Sequence, residues 1–182
     1  PLKLDKTTHP LALQPDGKIV MVGNQTVDGQ TQFVLVRLNS DGSLDQTFAD
    51  AGQQHTPLDG SAEARALALQ PDGKLVVVGQ ARTSQTFEDA FVVVRYQPNG
   101  ALDPSFDGDG MLFTSFTQTT GAYAVAVQAD GKLVVAGTAQ GAEHLGDDAF
   151  TIVRYQADGA LDPTFAGDGK LLTTWPAVDA GL

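Results

Sequence analysis

The chain repeats one motif three times, and this repetition restricts the possible folds more than any other feature. The first part of the motif ends in Asp-Gly-Lys and occurs at Leu11–Lys18, Leu67–Lys74 and Val125–Lys132. The second part ends in Arg followed by Leu or Tyr and occurs at Phe33–Leu38, Phe91–Tyr96 and Phe150–Tyr155. Because corresponding residues lie about 58 positions apart, each copy is one supersecondary unit that buries its apolar faces by stacking on its neighbours.

Each copy carries signals for four short β-strands and none for a helix. An alternating strand leads into an Asp-Gly turn, an apolar strand follows, and a second apolar strand ends at another Gly-containing turn. A connector with the pattern Leu-Asp-x-x-Phe then leads to a last strand, predicted at Met111–Phe116 and Lys170–Trp175. We predict one domain over residues 1–182, with repeats at approximately 1–58, 59–116 and 117–175 and a tail at 176–182.

The Asp-Gly turns predict tight hairpins. Pro fixes φ at the first turn position, Asp is tolerated at the second, and Gly supplies the left-handed conformation at the third. The last copy keeps the turn with Ala129 in place of Pro. We therefore expect a positive φ at Gly17, Gly73 and Gly131.

The second and third strands of each copy are apolar at successive positions, as in Leu75–Val78. Such strands are covered on both faces, so each small sheet must lie between two others. Four short antiparallel strands per copy, with a period between about 40 and 60 residues, are typical of the blades of a β-propeller. A β-helix repeats on a shorter rung, and a single sandwich does not repeat. The sequence predicts an all-β propeller fold with three four-stranded antiparallel blades per chain.

The combined pattern resembles a known repeat family. It reads Ala-x-Ala-x-Gln-Pro-Asp-Gly-Lys, an apolar run and Gly, then Phe-x-Val-x-Arg-Tyr-x-x-Asp-Gly-x-Leu-Asp-x-x-Phe-x-x-x-Gly, and it covers nearly the whole chain. This pattern is similar to the delta-60 repeat of bacterial proteins, which implies propeller-like repeats in large secreted or surface proteins. The resemblance supplies no catalytic residues, so it supports the fold and leaves the function open.

Charge and composition exclude several classes of partner. The chain has 11 basic and 22 acidic residues and a net charge of −11, so its surface repels nucleic-acid backbones and anionic membranes. No apolar run approaches the roughly 18–20 residues of a membrane span. The absence of cysteine removes disulfides, thiolate metal sites and cysteine nucleophiles. This composition is typical of an exported bacterial protein, and we expect an extracellular or cell-surface location.

An arginine inside each third strand precedes an aspartate by eight residues. The three pairs are Arg37 and Asp45, Arg95 and Asp103, and Arg154 and Asp162. They could form a ring of charged ligand contacts, or each could be an intrablade pair in which the carboxylate balances a buried guanidinium. Occurrence in every copy favours the structural pair, because residues common to all repeats build the repeat. By the same argument, we expect the glutamines before the Asp-Gly turns to form hydrogen bonds beside those turns; they are Gln14, Gln70 and Gln128.

The candidates for chemistry are few. Asp107 and Asp109 lie in an Asp-Gly-Asp-Gly segment that suggests a calcium loop, but the further oxygen ligands and distal Glu of an EF-type loop are missing. We expect a turn there and no cofactor. The sequence has no Gly-x-Ser-x-Gly elbow and no phosphate-binding glycine loop, so we expect no enzymatic activity. A hydrolase or lyase with its site on the loops is the remote alternative.

The segments between the second and third strands differ among the copies in length and content. They are predicted as loops at Asn24–Gln32, Gln80–Ala90 and Thr138–Ala149, which leave the same end of the blades, opposite the Asp-Gly turns. Insertions on one face of a repeat protein often mark its binding face, although solvated loops also vary without a function. A cationic partner or a divalent ion would suit this face, whose candidate ligand-binding residues are Asp28, Glu88, Asp89, Glu143, Asp147 and Asp148.

These features together predict a non-enzymatic propeller scaffold or interaction module of a bacterial secreted or surface protein. The alternative is a ligand-binding module that recognises a protein or a carbohydrate with its acidic loop face. Sugar-binding sites usually present exposed aromatic rings, and the variable loops contain only Phe87. We expect neither a nucleic-acid partner nor insertion into a membrane.

Three blades are too few for a closed propeller, which normally has about four to eight. Two apolar sheet faces would be bare, at a cost of roughly 25 cal/mol per Å². We expect two chains to associate head to tail around a two-fold axis, as a homodimer with six blades. Pro1–Asp5 resembles the last strand of a copy and could complete a blade that begins or ends in the partner. A fragment of a longer single-chain propeller would leave the same faces bare.

Overall fold

The computed structural model describes residues 10–58, 60–82, 89–116, 120–140 and 148–173, and these residues form three separate four-stranded antiparallel sheets. The first sheet consists of β1 Leu11–Leu13, β2 Ile19–Val27, β3 Gln30–Leu38 and β4 Gln53–Pro57. The second consists of β5 Ser61–Leu69, β6 Leu75–Arg82, β7 Asp89–Tyr96 and β8 Met111–Ser115. The third consists of β9 Thr120–Val127, β10 Leu133–Gln140, β11 Asp148–Tyr155 and β12 Lys170–Thr173. The expected all-β architecture is confirmed for these residues.

Within each sheet, the strands follow one another in chain order, so every sheet is one up-and-down blade. The first turn of each blade is the tight Asp-Gly turn that the sequence predicts. In the second blade, the N–H of Gln70 donates to the carbonyl oxygen of Lys74 at 2.8 Å, and the N–H of Gly73 donates to that of Gln70 at 2.9 Å. The expected positive φ is confirmed at all three turn glycines, Gly17 at +84°, Gly73 at +84° and Gly131 at +83°.

The apolar residues of the middle strands form two cores, and each core lies between neighbouring blades. Alternate residues of β6 point to opposite sides: Leu75 and Val77 belong to the core shared with the first blade, whereas Val76 and Val78 belong to the core shared with the third. All four side chains are fully buried. Burying each of them stabilises the fold by roughly 1.5–3 kcal/mol. Stacking of blades therefore produces the cores, as the continuous apolar runs indicate.

The expected loop at Asn24–Gln32 is wrong. β2 continues to Val27 and β3 begins at Gln30, with Asn24 paired to Phe33 and Val27 to Gln30. Only Asp28 and Gly29 form the turn, with φ of +51° and +79°. Positive φ at both central residues is the type I′ geometry that matches strand twist and favours Asp-Gly. An Asp-Gly pair with pairing-competent strands on both sides thus makes a long hairpin instead of a loop.

The corresponding segment of the second blade is also partly strand. Residues Gln80–Arg82 continue β6, and β7 begins at Asp89, with Arg82 paired to Asp89. The segments 83–88 and 141–147, which contain most of the other two predicted loops, lie outside the described residues. Pro1–Asp5 and Trp175 lie outside them as well. Within the described ranges, no helix has the length and hydropathy needed to cross a membrane.

Candidate functional site

Each blade contains a cluster of charged side chains beside the connector that follows its third strand. In the second blade, Arg95 Nε donates to Asp103 Oδ2 at 2.7 Å, and Lys74 Nζ lies 3.1 Å from the same oxygen. The other carboxylate oxygen, Oδ1, accepts hydrogen bonds from the backbone N–H and the hydroxyl of Ser105. Asp103 is buried and its two oxygens are occupied, so the cluster is satisfied internally.

The other blades repeat this cluster. In the first blade, Arg37 Nε and Lys18 Nζ lie 2.7 and 2.8 Å from Asp45 Oδ2. In the third, Arg154 Nε and Lys132 Nζ lie 2.8 and 3.3 Å from Asp162 Oδ2. The structure brings together every Arg–Asp pair singled out from the sequence. The structure adds a lysine to each pair. Sequence reasoning missed these lysines, although one directly follows each Asp-Gly turn.

The contacts of the carboxylates lower their pKa values. Burial alone would raise the pKa of Asp103, but the hydrogen bonds from Ser105 and Lys74 and the charge of Arg95 lower it to about 2. A hydrogen bond from Lys18 and another from Thr47 lower the pKa of Asp45. Hydrogen bonds from Thr164 lower the pKa of Asp162 in the same way, assisted by Lys132 and Arg154. All three aspartates are therefore ionised at neutral pH.

Each of the first two clusters also connects its blade to the next one. The guanidinium of Arg37 stacks on Phe48 at 4.5 Å from the ring centroid, and its Nη1 donates to the carbonyl oxygen of Pro98 at 2.8 Å. The N–H of Ala49, which has a φ of +43°, donates to the carbonyl oxygen of Asn99 at 2.8 Å. The Phe48 ring lies against Gly100, where a Cβ atom would come within 2.8 Å of it.

The second and third blades are joined in the same way. Arg95 stacks on Phe106 at 4.6 Å and its Nη1 donates to the carbonyl oxygen of Ala157. The N–H of Asp107 donates to the carbonyl oxygen of Asp158 at 2.8 Å, and the Phe106 ring lies against Gly159. We call the Arg, the Phe and the left-handed residue after it the anchor of a blade. The turn that receives them, Pro98–Gly100 or Ala157–Gly159, is the acceptor turn.

A buried hydrogen bond between hydroxyl groups supports each joint. Thr56 Oγ1 lies 2.8 Å from the Tyr96 hydroxyl, and Thr114 Oγ1 lies 2.7 Å from the Tyr155 hydroxyl. Burial raises the pKa of both tyrosines, so both phenols stay neutral. Sequence reasoning missed these bonds, although a Tyr follows Arg in the second and third copies whereas Leu38 follows it in the first.

The glutamines that recur before the Asp-Gly turns form only some of the expected hydrogen bonds. The backbone of Gln14, Gln70 and Gln128 closes the Asp-Gly turns. The side-chain oxygens Oε1 of Gln14 and Gln70, however, are buried and have no hydrogen-bond donor among the described residues. Main-chain hydrogen bonds therefore close the turn, and the Oε1 atoms of Gln14 and Gln70 do not contribute the bond that we expected of them.

The weak calcium candidates, Asp107 and Asp109, serve the turn between the connector and β8. Asp109 Oδ1 accepts a hydrogen bond from the N–H of Met111 at 2.8 Å, and Asp168 receives the N–H of Lys170 in the same way at 2.9 Å. Burial, together with the charges of Asp109 and Asp158, raises the pKa of Asp107. Within the described ranges, no three His, Cys, Asp or Glu side chains are grouped in a way that could hold a metal ion.

The candidate residues of the acidic loop face are only partly described. Asp28 lies in the β2–β3 turn and Asp89 begins β7, while Asp148 begins β11 opposite Gln140. Glu88, Glu143 and Asp147 lie outside the described residues. Antiparallel pairing places the Asp28 turn and the start of β7 at the ends of the blades opposite the acceptor turns. The structure thus separates this face from the interblade joints.

A cleft of about 240 Å³ opens at this end of the second blade. Its lining combines both charges and neutral polar groups, from Ser61, Ala62, Glu63, Gln80, Arg82 and Asp89. Beside it, Arg65 Nη2 donates to both Glu63 and Gln80 at 2.9 Å, and its guanidinium stacks on Tyr123 at 4.3 Å. The described part of the face is therefore mixed in charge, because Arg65 and Arg82 accompany the acidic residues. The expectation of an acidic face rested on the acidic residues alone. These two arginines do not recur in the other copies.

The comparisons with known proteins agree with the repeat. A family model described as "Domain of unknown function (DUF5122) beta-propeller" matches three segments of the chain, residues 14–48, 70–106 and 128–165. Each segment begins at the Gln before an Asp-Gly turn and ends at the Phe of the anchor. No curated protein matches the chain.

Proposed function

The chain belongs to this DUF5122 β-propeller family, and we propose that it is a non-enzymatic scaffold or interaction module of a bacterial secreted or surface protein. The delta-60 resemblance and the cysteine-free, acidic composition support the exported location. The scaffold role is supported by the use that the repeated residues make of their chemistry. In a catalytic or ligand-binding ring, the charged groups would face an open site.

One observation carries this proposal: the charged groups that recur in every copy bond to each other, and in the first two blades they also bond to the next blade. Asp103 accepts from Arg95, Lys74 and Ser105, and its side chain is 5% exposed. Nη1 of Arg95 donates to the carbonyl oxygen of Ala157 in the third blade. A ligand reaching this carboxylate would have to displace bonds that hold two blades together. The cluster is therefore suited to a structural role, in which it holds neighbouring blades together.

A pair of matched variants tests this role. Asp103→Asn removes the charge that balances Arg95 and Lys74, and loss of one partner of a buried pair costs roughly 3 kcal/mol. Asp72→Asn removes an exposed carboxylate 3.6 Å from the same Lys74, and we expect a change below about 0.5 kcal/mol. Urea denaturation at one fixed protein concentration measures both. Equal stability of the two variants would contradict a structural role for Asp103 and would favour the alternative that the Arg–Asp pairs are ligand contacts.

We also propose that a second copy completes the propeller to six blades. Both outer sheets expose apolar side chains, since Leu11 is 61% and Leu13 66% exposed on the first blade, and Phe150 is 44% exposed on the third. In the middle blade, the residue corresponding to Phe150 is Phe91, which is fully buried. Light scattering should give a mass of twice the 19.0 kDa of one chain. A stable monomer at micromolar concentration would contradict this part of the proposal.

The cleft on the loop face favours a second candidate function, a binding module for a small polar group of a protein or carbohydrate. Glu63, Arg82 and Asp89 place charges of both signs around about 240 Å³, less than the roughly 300–1,000 Å³ of sites for drug-sized ligands. A glycan array and a pull-down with the intact protein would identify a ligand. Asp89→Asn should then abolish binding without lowering Tm, and loss of Tm instead would make Asp89 a structural residue.

A further inference from the structure

The two outer blades carry complementary halves of the interblade joint. Each internal joint consists of the anchor of one blade and the acceptor turn of the next. The third blade has an anchor, Arg154, Phe165 and Ala166, and the first blade has an acceptor turn, Ser40–Gly42. Neither half has its counterpart among the described residues of the same chain.

The anchor of the third blade is formed but open. Arg154 binds Asp162 through Nε at 2.8 Å and Thr164 through Nη2 at 2.9 Å, and it stacks on Phe165 at 4.9 Å. The described part of the chain offers its Nη1 no carbonyl oxygen of the kind that Arg37 and Arg95 find in the next blade. The Phe165 ring is partly exposed, whereas Phe48 and Phe106 are fully buried.

The acceptor turn of the first blade is equally open. Gly42 has a φ of +86°, like Gly100 at +93° and Gly159 at +100°, so the three turns have the same backbone shape. A Cβ atom at Gly100 or Gly159 would meet the anchoring Phe ring at 2.8 or 3.2 Å, but nothing lies within 4 Å of the corresponding position at Gly42. Ser40 and Asp41, whose carbonyl groups match the acceptors of the other turns, are exposed.

We propose that the anchor of one copy seats in the acceptor turn of a second copy, which makes the intermolecular contact a third use of the interblade joint. Phe165 then packs on the partner's Gly42, Arg154 Nη1 donates to the carbonyl oxygen of the partner's Ser40, and the N–H of Ala166 donates to that of the partner's Asp41. This assignment rests on the proposed completion by a second copy and specifies its contacts.

The occupant follows from the match between the two halves. The anchor requires a turn with a left-handed Gly and two outward carbonyl groups, which is what the first blade leaves uncovered. The exposed apolar residues of the same two blades, Phe150 on the third and Leu11 and Leu13 on the first, extend the contact. Because one face differs from the other, the contact is heterologous, and two copies close it with two equivalent junctions.

The proposed junction lacks one bond of the internal joints. Thr173 corresponds to Thr56 and Thr114, which bond to Tyr96 and Tyr155. The residue that would face Thr173 across the junction is Leu38, which has no hydroxyl. Leu38→Tyr should therefore restore the bond and tighten the dimer about fivefold, which corresponds to a hydrogen bond of about 1 kcal/mol.

Paired glycine variants test the contact. Gly42→Ala places a Cβ atom where the partner's Phe165 ring would lie and should weaken the dimer about tenfold or more in sedimentation equilibrium. Gly29→Ala is the matched control, since Gly29 lies in the same blade with a φ of +79° and open space around it. A wild-type monomer would overturn both the dimer and this joint. A dimer that Gly42→Ala leaves unchanged would overturn the joint alone.

Cross-linking gives a second test that does not depend on affinity. The backbones of Asp107 and Asp158 meet through a 2.8 Å hydrogen bond, and the proposed junction brings Ala166 and Asp41 together in the same way. The chain has no native cysteine, so a mixture of Asp41→Cys and Ala166→Cys should form an interchain disulfide under mild oxidation. Asp28→Cys, at the opposite end of the first blade, should not link to Ala166→Cys. Dimers that link no better through residue 41 than through residue 28 would refute the joint.

Discussion

The second and third blades share a Phe and an Arg at corresponding positions of their third strands, yet they bury different fractions of these side chains. Phe91 of the second blade is fully buried, and Phe150 of the third is 44% exposed. The Arg95 side chain is 4% exposed, and that of Arg154 is 20% exposed. Both differences lie on the face that the second blade presents to the third. A blade therefore obtains the burial of this face from its neighbour.

The charged clusters of the two blades have nearly the same geometry. The Arg–Asp distance is 2.7 Å in the second blade and 2.8 Å in the third, and the aspartate side chains are 5% and 3% exposed. The turn that follows each aspartate is also capped by the same kind of hydrogen bond, from Ser105 or Thr164. Each blade thus forms its own charged cluster, while the neighbouring blade decides how well that cluster is covered.

The largest expected contrast concerns the aromatic residues. Phe91→Ala should lower the free energy of unfolding by about 4 kcal/mol, because it removes a ring from a closed core. Phe150→Ala should cost about half as much or less, since nearly half of that side chain already contacts solvent in the single chain. Urea denaturation of both variants, at a protein concentration below the dissociation constant of the dimer, checks the difference. Equal losses would show that the third blade is covered in solution even in the monomer.

The second contrast concerns the guanidinium groups. Arg95→Met leaves a buried carboxylate with less compensation and breaks the bond to the Ala157 carbonyl, so we expect a loss of about 3 kcal/mol. Arg154→Met should cost about 1 kcal/mol, because that side chain is more hydrated and makes no such bond within the described chain. Thermal unfolding gives the order of the two variants. A larger loss of stability in Arg154→Met than in Arg95→Met would contradict the expected difference between the two blades.

A smaller contrast is expected for the threonines of the last strands. Thr114→Val leaves the buried Tyr155 hydroxyl without its partner and should cost about 1–2 kcal/mol. Thr173→Val should change stability by less than about 0.5 kcal/mol, because among the described residues Thr173 donates only to the carbonyl oxygen of Phe150 in its own blade, at 3.2 Å. Chemical denaturation of the two variants, with Tyr155→Phe as a partner for a double-mutant cycle, tests this expectation.

The carboxylates should show almost no contrast between blades. The folded-state pKa is lowered at both Asp103 and Asp162. Their stabilising effect is therefore complete above the unfolded-state pKa of about 4, and it is lost as pH falls towards 2. Asp103→Asn and Asp162→Asn should each flatten the decline of Tm between pH 5 and pH 2 by a similar amount, with Asp72→Asn as the surface control. A flattening confined to one blade would contradict self-contained clusters.

The sequence predicted the blade well because its signals are local. Continuous apolar runs such as Leu75–Val78 require cover on both faces, and the Asp-Gly turns require a left-handed Gly wherever they occur. The Arg–Asp pairs were accessible for a related reason, since a fixed separation of eight residues in every copy holds the pair within one blade. The hairpin within Asn24–Gln32 was not predicted, because variation among the copies favours a loop at this place, whereas Asp28–Gly29 is itself a hairpin turn.

The repeat, the strand count, the turn chemistry and the intrablade ion pairs were determined by the sequence alone, since each depends on residues within one copy. Only the tertiary structure decided what lies between copies: the Thr–Tyr bonds, the seating of Phe48 and Phe106 on the glycines of the next blade, and the two joint halves left open at Gly42 and Phe165. These contacts join residues about 40 to 60 positions apart in the chain. They depend on the relative position of two sheets, and no spacing within a single copy encodes that position.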